Sequence, residues 1–492
     1  MHFTCLENTD NITKDVVITT VPWTDSEIPL MAPAQLKPIV ESAGLTCLAV
    51  DANAEVYAWS KEHPNKKQLL DFFFDGRIHD DVVGKEIFEV FESLARQILS
   101  FKPKFVGLSL LTFACKNSAK WLSWIIKKID PSVTIILGGA GCLVNFTGSS
   151  KFVDDLLAGG IIDFHIRGDG ERSLYEFLVG NKEYSGINSL SWDQLPMEEV
   201  RQLPLPNYDD YDFSYYAKRV LPLLGSRGCV RRCTFCDVEA NWKKFQWRTA
   251  EDIFGEMQLQ YEKYGIRYFK FQDSLTNGNL KDFNKLTEIL SEYNLSNPEK
   301  SFKWAGFYIF REHNKNTSRE WQYIADSGAD LLSVGIENLN QHIRYALGKK
   351  FSNEAIDVHL EHALKHKVTC NLLNIVGYVN ETQEDIDSIK HWLDTHTKYK
   401  EVIRINWGGT LGIFPNTWLD ANKDKLGIKM LDNSLLPDPN AWVNESIGST
   451  PQVRANWAID LHKHATDLGY NVYMMQDNHY VLESLIDDEL LF

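Results

Sequence analysis

The sequence lacks the features that would tie the protein to a membrane or to nucleic acid. No apolar run reaches the roughly 18 to 20 residues that span a bilayer, and residues 1–8 lack the basic and then apolar plan of a signal peptide. Acidic residues outnumber basic ones, 67 to 51, and the net charge of −16 has the wrong sign for binding nucleic acid or an anionic membrane. We therefore expect a cytoplasmic protein with no membrane span and no nucleic-acid partner.

The sequence also lacks internal repeats and low-complexity segments. With 492 residues, 44% of them hydrophobic, it is long enough for two or three domains that each bury a core. In a cytoplasmic protein, its eight cysteines are expected to be reduced, buried or metal-bound rather than paired in disulfides. Cysteines that lie close together in the sequence are therefore candidate metal ligands.

Three cysteines, Cys229, Cys233 and Cys236, lie in one short segment with the spacing CxxxCxxC. Three thiolates can bind three irons of a cubane 4Fe-4S cluster and leave the fourth iron open to a substrate or cofactor. A structural zinc ion needs a fourth ligand, and the neighbouring sequence offers no second CxxC or HxxxH pair. The pattern predicts a cluster with an open iron, and zinc or free thiols are the alternatives.

This segment, with the aromatic Phe235 just before the third cysteine, resembles the cluster loop of the radical S-adenosylmethionine (SAM) superfamily. In that family the open iron chelates the amino and carboxylate groups of SAM, and one electron cleaves the sulfonium to a 5'-deoxyadenosyl radical. The resemblance implies a 4Fe-4S cluster and SAM as cofactors and Phe235 as a cofactor contact. It also implies an oxygen-sensitive enzyme that receives electrons from a donor such as flavodoxin or ferredoxin.

Residues 1–200 alternate between strand-like and helix-like patterns. Alternation of this kind predicts an α/β domain with a doubly wound parallel sheet, whose ligand crevice lies beyond the carboxyl ends of the strands. The predicted strands cover residues 15–21, 45–51, 105–112, 133–139 and 163–168, and the clearest helix covers 118–129.

Two of these strand ends carry a second resemblance. Ser109-Leu110-Leu111, followed by Gly138 and Gly139, resembles the Ser-x-Leu and Gly-Gly elements of cobalamin-binding domains of the methionine synthase type. In those domains the serine meets the nucleotide tail, and the glycines let the backbone approach it closely. The resemblance implies cobalamin as a cofactor, with Ser109, Leu111, Gly138 and Gly139 as contacts. Alternatively, these residues only close two βα turns in a domain without a cofactor.

The histidine that ligates cobalt in those domains is missing, because no Asp-x-His-x-x-Gly sequence precedes Ser109. Cobalamin-dependent radical SAM enzymes share this departure. The resemblance therefore implies base-off cobalamin whose lower face is empty, bound to water or shielded by the loop after the first strand. In that loop, Trp23 is the candidate shield and a further predicted cofactor contact.

Residues 201–219 are rich in proline and acidic residues and are predicted to be a linker. Residues 220–430 then alternate through six further βα units, which favours a partial TIM-like barrel with its chemistry at the carboxyl ends of the strands. Residues 431–492 are predicted to be a small helical C-terminal extension, with helices over 455–465 and 480–486.

The radical SAM resemblance gives roles to polar residues at the predicted strand ends of the barrel. Gln272 and Asp273 stand where the family holds the SAM ammonium, and Arg311 could pair with the SAM carboxylate. Glu337 lies in Gly-Ile-Glu-Asn, which resembles the family's Gly-Ile-Glu-Ser motif, and Gly377 ends the strand that faces adenine. Taken one at a time, such residues are as often helix caps or solvated charges.

Together these features resemble the cobalamin-binding-domain radical SAM enzymes, the class B methyltransferase-like group. That resemblance implies methylation of an unactivated carbon in a small molecule or peptide: cobalamin takes a methyl group from one SAM, and a radical from a second SAM activates the substrate. Ring formation, rearrangement or methylthiolation with a vestigial cobalamin domain is one alternative. A non-catalytic iron-sulfur electron carrier or sensor is the other.

Overall fold

The computed structural model describes residues 2–24, 27–78, 80–142, 151–189, 199–313, 317–431 and 438–474. It divides into two compact units, Met1–Arg219 and Val220–Phe492. Within the described ranges, no helix is both long enough and apolar enough to cross a bilayer.

The first unit is built on a parallel sheet whose described strands are ordered β2-β1-β3-β4-β5. The strands are β1 (Val16–Thr20), β2 (Cys47–Val50), β3 (Phe105–Ser109), β4 (Thr134–Gly138) and β5 (Phe164–His165). The helices are α1 (Met31–Ser42), α2 (Ala52–Glu62), α3 (Lys66–Asp75), α4 (Asp81–Ser100), α5 (Lys116–Ile129), α6 (Phe152–Ala158) and α7 (Gly170–Leu178). The predicted doubly wound domain is confirmed.

The strand order places the crevice of the first unit at a definite point. The chain reverses its direction of winding between β1 and β3, and in such sheets ligands bind outside the carboxyl ends of the strands at this switch point. The register pairs Thr20 with Ser109, and Ser109 with Gly138. The predicted cobalamin contacts on β3 and β4 are therefore neighbours at this edge of the sheet.

The segment predicted to be a linker packs on the first unit. Asp210 forms an ion pair with Lys37, with 2.6 Å between Nζ and Oδ2, and the Tyr216 hydroxyl donates to the buried Asp51 at 2.9 Å. Composition alone cannot separate a solvated acidic segment from one whose acids and tyrosines bind a neighbouring surface. Residues 203–216 therefore belong to the first compact unit and not to a free connection.

The second unit contains a sheet whose described strands are all parallel and are ordered β16-β13-β12-β11-β10-β9-β6. Its strands are β6 (Val220–Leu223), β9 (Tyr268–Phe271), β10 (Lys303–Tyr308), β11 (Ala329–Glu337), β12 (Thr369–Val376), β13 (Ile403–Thr410) and β16 (Asn471–Met474). Two short antiparallel pairs accompany it, β7 (Ser226–Arg227) with β8 (Gln246–Trp247), and β14 (Lys429–Met430) with β15 (Trp442–Val443). The six predicted βα strands are all present, and β16 extends the sheet.

The helices of this unit follow the strands and cover one face of the sheet. They are α8 (Val238–Asn241), α9 (Ala250–Tyr264), α10 (Leu280–Ser296), α11 (Thr317–Asp326), α12 (Gln341–Ala346), α13 (Asn353–His366), α14 (Gln383–Thr395), α15 (Trp418–Asn422) and α16 (Pro451–Asp467). Along β12, buried residues alternate with half-buried ones, so one face packs on helices and the other is open. The open face is the concave side of the partial barrel.

The C-terminal segment contributes more than a helix. The predicted helix over 455–465 is confirmed inside α16, and β16 pairs in parallel with β13 at the edge of the barrel sheet. The buried Arg454 of α16 stacks on the Trp442 ring at 3.6 Å and so fixes α16 against the β15 segment. The other predicted helix, 480–486, lies outside the described residues.

Candidate functional site

The three predicted cluster ligands lie on one loop between β7 and α8. Gly228, with φ of 79°, opens the loop in a backbone conformation that side chains disfavour. Inside the loop, the Cys236 amide donates to the Cys233 carbonyl at 3.2 Å, and the Arg231 amide donates to the Cys229 sulfur at 3.4 Å. All three cysteines are half-buried and unpaired in disulfides. Local hydrogen bonds therefore bring three free thiols to one short, partly shielded loop.

Burial favours the protonated form of two thiols of this loop, Cys233 and Cys236. Burial raises the pKa of Cys236 to about 12, and burial also raises the pKa of Cys233, against an opposing effect of Lys349. Iron binds the thiolate, so cluster assembly must release these protons. No group of three or more His, Cys, Asp or Glu side chains in the described ranges converges on a single metal ion. A cubane differs from such a site because each thiolate binds its own iron.

Phe235 anchors the loop to the barrel. Its ring packs against a buried cluster that includes Leu347 and Tyr378. The neighbouring Thr234 donates its amide to the Leu347 carbonyl at 3.1 Å and accepts from the Leu419 amide at 3.0 Å. The structure thus gives Phe235 a packing role that orients the cysteines. Its predicted contact with a cofactor stays a prediction.

Glu337 lies at the carboxyl end of β11 in an unusual conformation. Its φ of 63° is rare for a side chain other than glycine, and the register between β11 and β12 shifts between Gly335 and Glu337. Strained backbone of this kind concentrates at functional sites. The side chain is buried and forms an ion pair with Lys349, with 3.0 Å between Oε1 and Nζ. Sequence reasoning missed Lys349, because only the fold brings it beside Glu337.

The side chains of Gln272 and Asp273 lie in different environments, one exposed and one buried. Gln272, directly after β9, is exposed, and its amide nitrogen donates a long 3.4 Å hydrogen bond to the Lys270 carbonyl. Asp273 is buried and accepts from the Gly225 amide at 2.7 Å and from the Ser226 hydroxyl at 2.6 Å. These bonds give Asp273 a structural role, to hold the turn that leads into the cysteine loop. The predicted contact of Gln272 and Asp273 with the SAM ammonium stays a prediction.

Arg311 already has an acidic partner. Its Nη2 lies 3.1 Å from Glu320 Oε2 on α11, and its carbonyl bonds to His359 Nε2 at 2.9 Å. The guanidinium Nε is buried without a hydrogen-bond partner among the described residues. An unused, oriented donor of this kind can bind a carboxylate. The predicted pairing of Arg311 with the SAM carboxylate stays a prediction, and it would share the guanidinium with Glu320.

Gly377 follows β12 in a tight turn that α16 covers. Its φ is 85°, and a Cβ at this position would collide with the Arg454 side chain. The buried Glu381 closes the turn by accepting from the Gly377 and Tyr378 amides at 2.5 and 2.9 Å. Asn338, directly after Glu337, donates to the same carboxyl at 2.8 Å. The structure therefore assigns Gly377 first to backbone packing, and its predicted adenine contact stays a prediction.

Replacement of Glu381 by glutamine is expected to remove a pH dependence of stability. Burial raises the pKa of Glu381 to about 7, against hydrogen bonds from Asn338, Tyr378 and Gly377 that lower it. The fold favours the protonated acid, so its stabilising contribution is full below about pH 4.5 and is lost as the pH rises through about 7. Between these limits the wild type should lose on the order of 3 kcal/mol relative to E381Q.

Thermal unfolding of cluster-free protein at pH 5 and pH 8 measures this difference. The melting temperatures of wild type and E381Q should diverge as the pH rises. The exposed Glu384 provides the control, because E384Q should follow the wild type at both values. Parallel curves for wild type and E381Q would show that Glu381 ionises normally in the fold.

The two glycines among the predicted cobalamin contacts differ in the space around the position of a Cβ. At Gly138 no atom of the described residues lies within 4 Å of where a Cβ would point. Gly139 has φ of 101°, and its Cβ would lie 2.7 Å from the Leu110 carbonyl oxygen. Leu111 is 37% exposed just beyond β3. Gly138 therefore leaves space for a ligand at the sheet edge, whereas Gly139 is needed by the turn itself.

Trp23 is largely enclosed in the first unit. Its indole N–H donates to the Ser60 hydroxyl at 2.9 Å, and its ring lies 5.5 Å from that of Tyr57. Its carbonyl accepts from the buried Cys115 thiol at 3.5 Å. Only a small part of the ring is exposed, so its predicted role as a shield of cobalt stays a prediction.

The residues of the cysteine loop fit an iron-sulfur cluster, and the sheet edge of the first unit fits cobalamin. Three soft thiols on one loop match a cubane with an open iron, and the buried ion pair of Glu337 and Lys349 borders that loop. The sheet edge formed by the buried Ser109 and by Gly138 lies where doubly wound folds bind ligands.

Comparison with known proteins finds a family match within the second unit. Residues 223–393 match the radical SAM superfamily. The cytidylyl-2-hydroxyethylphosphonate methyltransferase of Streptomyces wedmorensis is 22% identical over 371 residues, covering 65% of this chain and 64% of the relative. The anaerobic magnesium-protoporphyrin IX monomethyl ester cyclase of Synechocystis is 21% identical over 283 residues, covering 54% of this chain and 53% of the relative. The chain thus matches less than two thirds of the length of either relative.

The structural similarity to a solved protein covers nearly the whole chain. The radical SAM methyltransferase TsrM from Kitasatospora setae, solved with cobalamin and a [4Fe-4S] cluster, superposes with a TM-score of 0.64 at 13% identity and covers 94% of this chain and 93% of its own. Residues 223–393 therefore match the radical SAM superfamily, and the fold of the chain resembles that of TsrM.

Proposed function

We propose that this protein is a cobalamin-dependent radical SAM enzyme that methylates an unactivated carbon. The observation that carries the proposal is the loop of Cys229, Cys233 and Cys236 inside the radical SAM domain, bordered by the buried pair of Glu337 and Lys349. An electron carrier or sensor would need the thiols but would have no use for a strained carboxylate at a neighbouring strand end.

The three cysteines would hold the cluster, and strand-end residues would orient SAM. A [4Fe-4S] cluster with three protein ligands supplies an open iron for SAM and the electron that cleaves it. The Glu337 carboxylate can accept hydrogen bonds from an ammonium group, and the exposed Gln272 amide can donate or accept at the same rim. Phe235 and Asp273 hold the cysteine loop from its two ends.

The first unit would hold cobalamin at the edge formed by Ser109 and Gly138. Cobalamin supplies a methyl carrier when bound. The register between β3 and β4, the open space at Gly138 and the exposed Leu111 support this placement. The likeness of the fold to TsrM, which was solved with cobalamin, supports it independently.

The open face of the barrel supports a polar substrate. Asn371 of β12 pairs in register with Arg404 of β13, and Asn406 follows two residues later on the same face. All three are half-buried, unlike their neighbours on the helix-covered face. We take a small polar molecule or peptide to be the substrate class. A cytoplasmic location and a flavodoxin or ferredoxin as electron donor complete the proposal.

A second candidate is radical SAM chemistry with a different outcome. The Synechocystis relative is a cyclase, and it matches 54% of this chain. In that case cobalamin could be unnecessary and the first unit vestigial.

Product analysis separates these possibilities. Reconstituted protein is incubated anaerobically with SAM and dithionite, with and without added cobalamin, and the nucleoside products are quantified. The methyltransferase should release 5'-deoxyadenosine and, only when cobalamin is present, S-adenosylhomocysteine. Release of 5'-deoxyadenosine alone under both conditions would favour the second candidate. Release of neither product would overturn the proposed function.

A further inference from the structure

The segment Leu347–Lys349, which follows α12, is fixed against the cysteine loop. The Leu347 carbonyl accepts from the Thr234 amide at 3.1 Å. Gly348 has φ of 95°, and a Cβ there would lie 3.1 Å from both the Arg232 carbonyl oxygen and the Cys233 Cα. A larger residue would push the two segments apart. The fold therefore delivers Lys349 to the immediate neighbourhood of the cluster ligands.

Lys349 is also fixed in its orientation. Its Nζ lies 3.0 Å from Glu337 Oε1, and only 11% of each side chain is exposed. A Cβ on Gly335 would lie 2.8 Å from each of these two atoms, so a glycine at 335 leaves room for the ion pair. Solvent cannot screen a buried pair as it screens a surface one.

The Lys349 charge reaches the cysteines. Burial lowers the pKa of Lys349, but Glu337 and then Cys233 raise it by more, so that it lies above its ordinary value. Lys349 in turn lowers the pKa of Cys233, where its effect is larger than the opposing effect of Glu337. The ion pair has no net charge, but its ammonium is carried by the residue after Gly348, which packs directly against Cys233.

Two arginines lie in the cysteine loop itself. Arg231 is half-buried and lowers the pKa of Cys233 by less than Lys349 does. Arg232 pairs with Glu239 at 3.2 Å, but 83% of the Arg232 side chain is exposed. Exposed charges act weakly because water and salt screen them. Lys349 is therefore the stronger candidate to stabilise negative charge that develops on a group bound by the cysteines.

We propose that Lys349 is a positioning residue that raises the reduction potential of the cluster and holds Glu337 in its strand-end conformation. The inference rests on the proposed function. Reduction transfers one electron from an external one-electron donor to the cluster, and no bond or proton changes place. The added negative charge is stabilised by the buried ammonium, so the reduced state becomes easier to reach.

The test is a redox titration of the reconstituted protein, followed by electron paramagnetic resonance of the reduced cluster. Lys349→Met should lower the midpoint potential so that the ratio of reduced to oxidised cluster at a fixed potential falls at least tenfold, which equals 59 mV for one electron. Lys349→Arg should stay close to the wild type because it keeps the charge. The exposed Lys350 provides the matched control, and K350M should not move the potential.

K349M leaves the Glu337 carboxylate buried without its ion-pair partner, and this variant could fail to assemble a cluster. A second pair of variants therefore removes the carboxylate first. The potential of Glu337→Gln is compared with that of the double variant E337Q/K349M, and the double variant should be the lower. Equal midpoint potentials for wild type and K349M, or for E337Q and E337Q/K349M, would overturn the inference. A wild type that forms no cluster would instead overturn the proposed function.

Discussion

Replacement of Cys229, Cys233 and Cys236 by alanine together is expected to abolish cluster assembly. Each thiolate binds one iron of a cubane, and no group of metal ligands elsewhere in the described residues could replace them. Anaerobic reconstitution of the triple variant should give no charge-transfer absorption and no bound iron above background. Production of 5'-deoxyadenosine should fall to zero, because SAM cleavage requires the open iron.

A cysteine outside the loop provides the control. Cys5 is half-buried in the first unit, and C5A should assemble the cluster as the wild type does. The triple variant should also keep its far-ultraviolet circular dichroism, because the loop is held by Asp273, Thr234 and Phe235 rather than by the thiols. A full cluster signal in the triple variant would mean that other residues bind the iron.

Replacement of Gly138 by leucine is expected to eliminate cobalamin binding and to leave the iron-sulfur cluster intact. The leucine side chain would enter the space that adjoins the carboxyl ends of β3 and β4, where the nucleotide tail is proposed to lie. Cobalamin content after supplementation, measured by mass spectrometry, should fall at least tenfold. Iron content, set by the second unit, should not change.

Two further glycines make this experiment specific. At Gly170, as at Gly138, no described atom lies near the position of a Cβ, and G170L should retain cobalamin. Gly139→Ala should lower the thermal stability of the first unit, because its φ of 101° and the Leu110 carbonyl oxygen at 2.7 Å leave no place for a Cβ. Retention of cobalamin by a folded G138L variant would move the binding site away from this edge.

The fold could be predicted because its signals are local. Strand runs and helical periodicity repeat through both units, and the predicted strand over 15–21 differs from the observed Val16–Thr20 by one residue at each end. The strand Asn471–Met474 was not predicted, because a short run after a long helix acquires its identity only by pairing with β13. The tyrosines and acids of residues 203–216 gain their partners in the same non-local way.

The functional site was predictable where the spacing of residues in the sequence is itself typical of a cofactor site. The three cysteines and the strand-end position of Glu337 follow from motifs, whereas the direction of a side chain does not. Asp273 lies two residues beyond the end of β9, and its carboxylate accepts hydrogen bonds from Gly225 and Ser226. Lys349 has no motif at all, and only the turn at Gly348 brings it to the cysteines.

The most direct test of the account is to measure iron, sulfide and cobalamin in one sample of protein purified anaerobically from cobalamin-supplemented cells. The account predicts about four irons and about four sulfides per chain, together with one cobalamin whose absorption spectrum reports no histidine ligand to cobalt. A protein with the cluster but without cobalamin, and with full SAM cleavage in its absence, would contradict the assignment as a cobalamin-dependent methyltransferase.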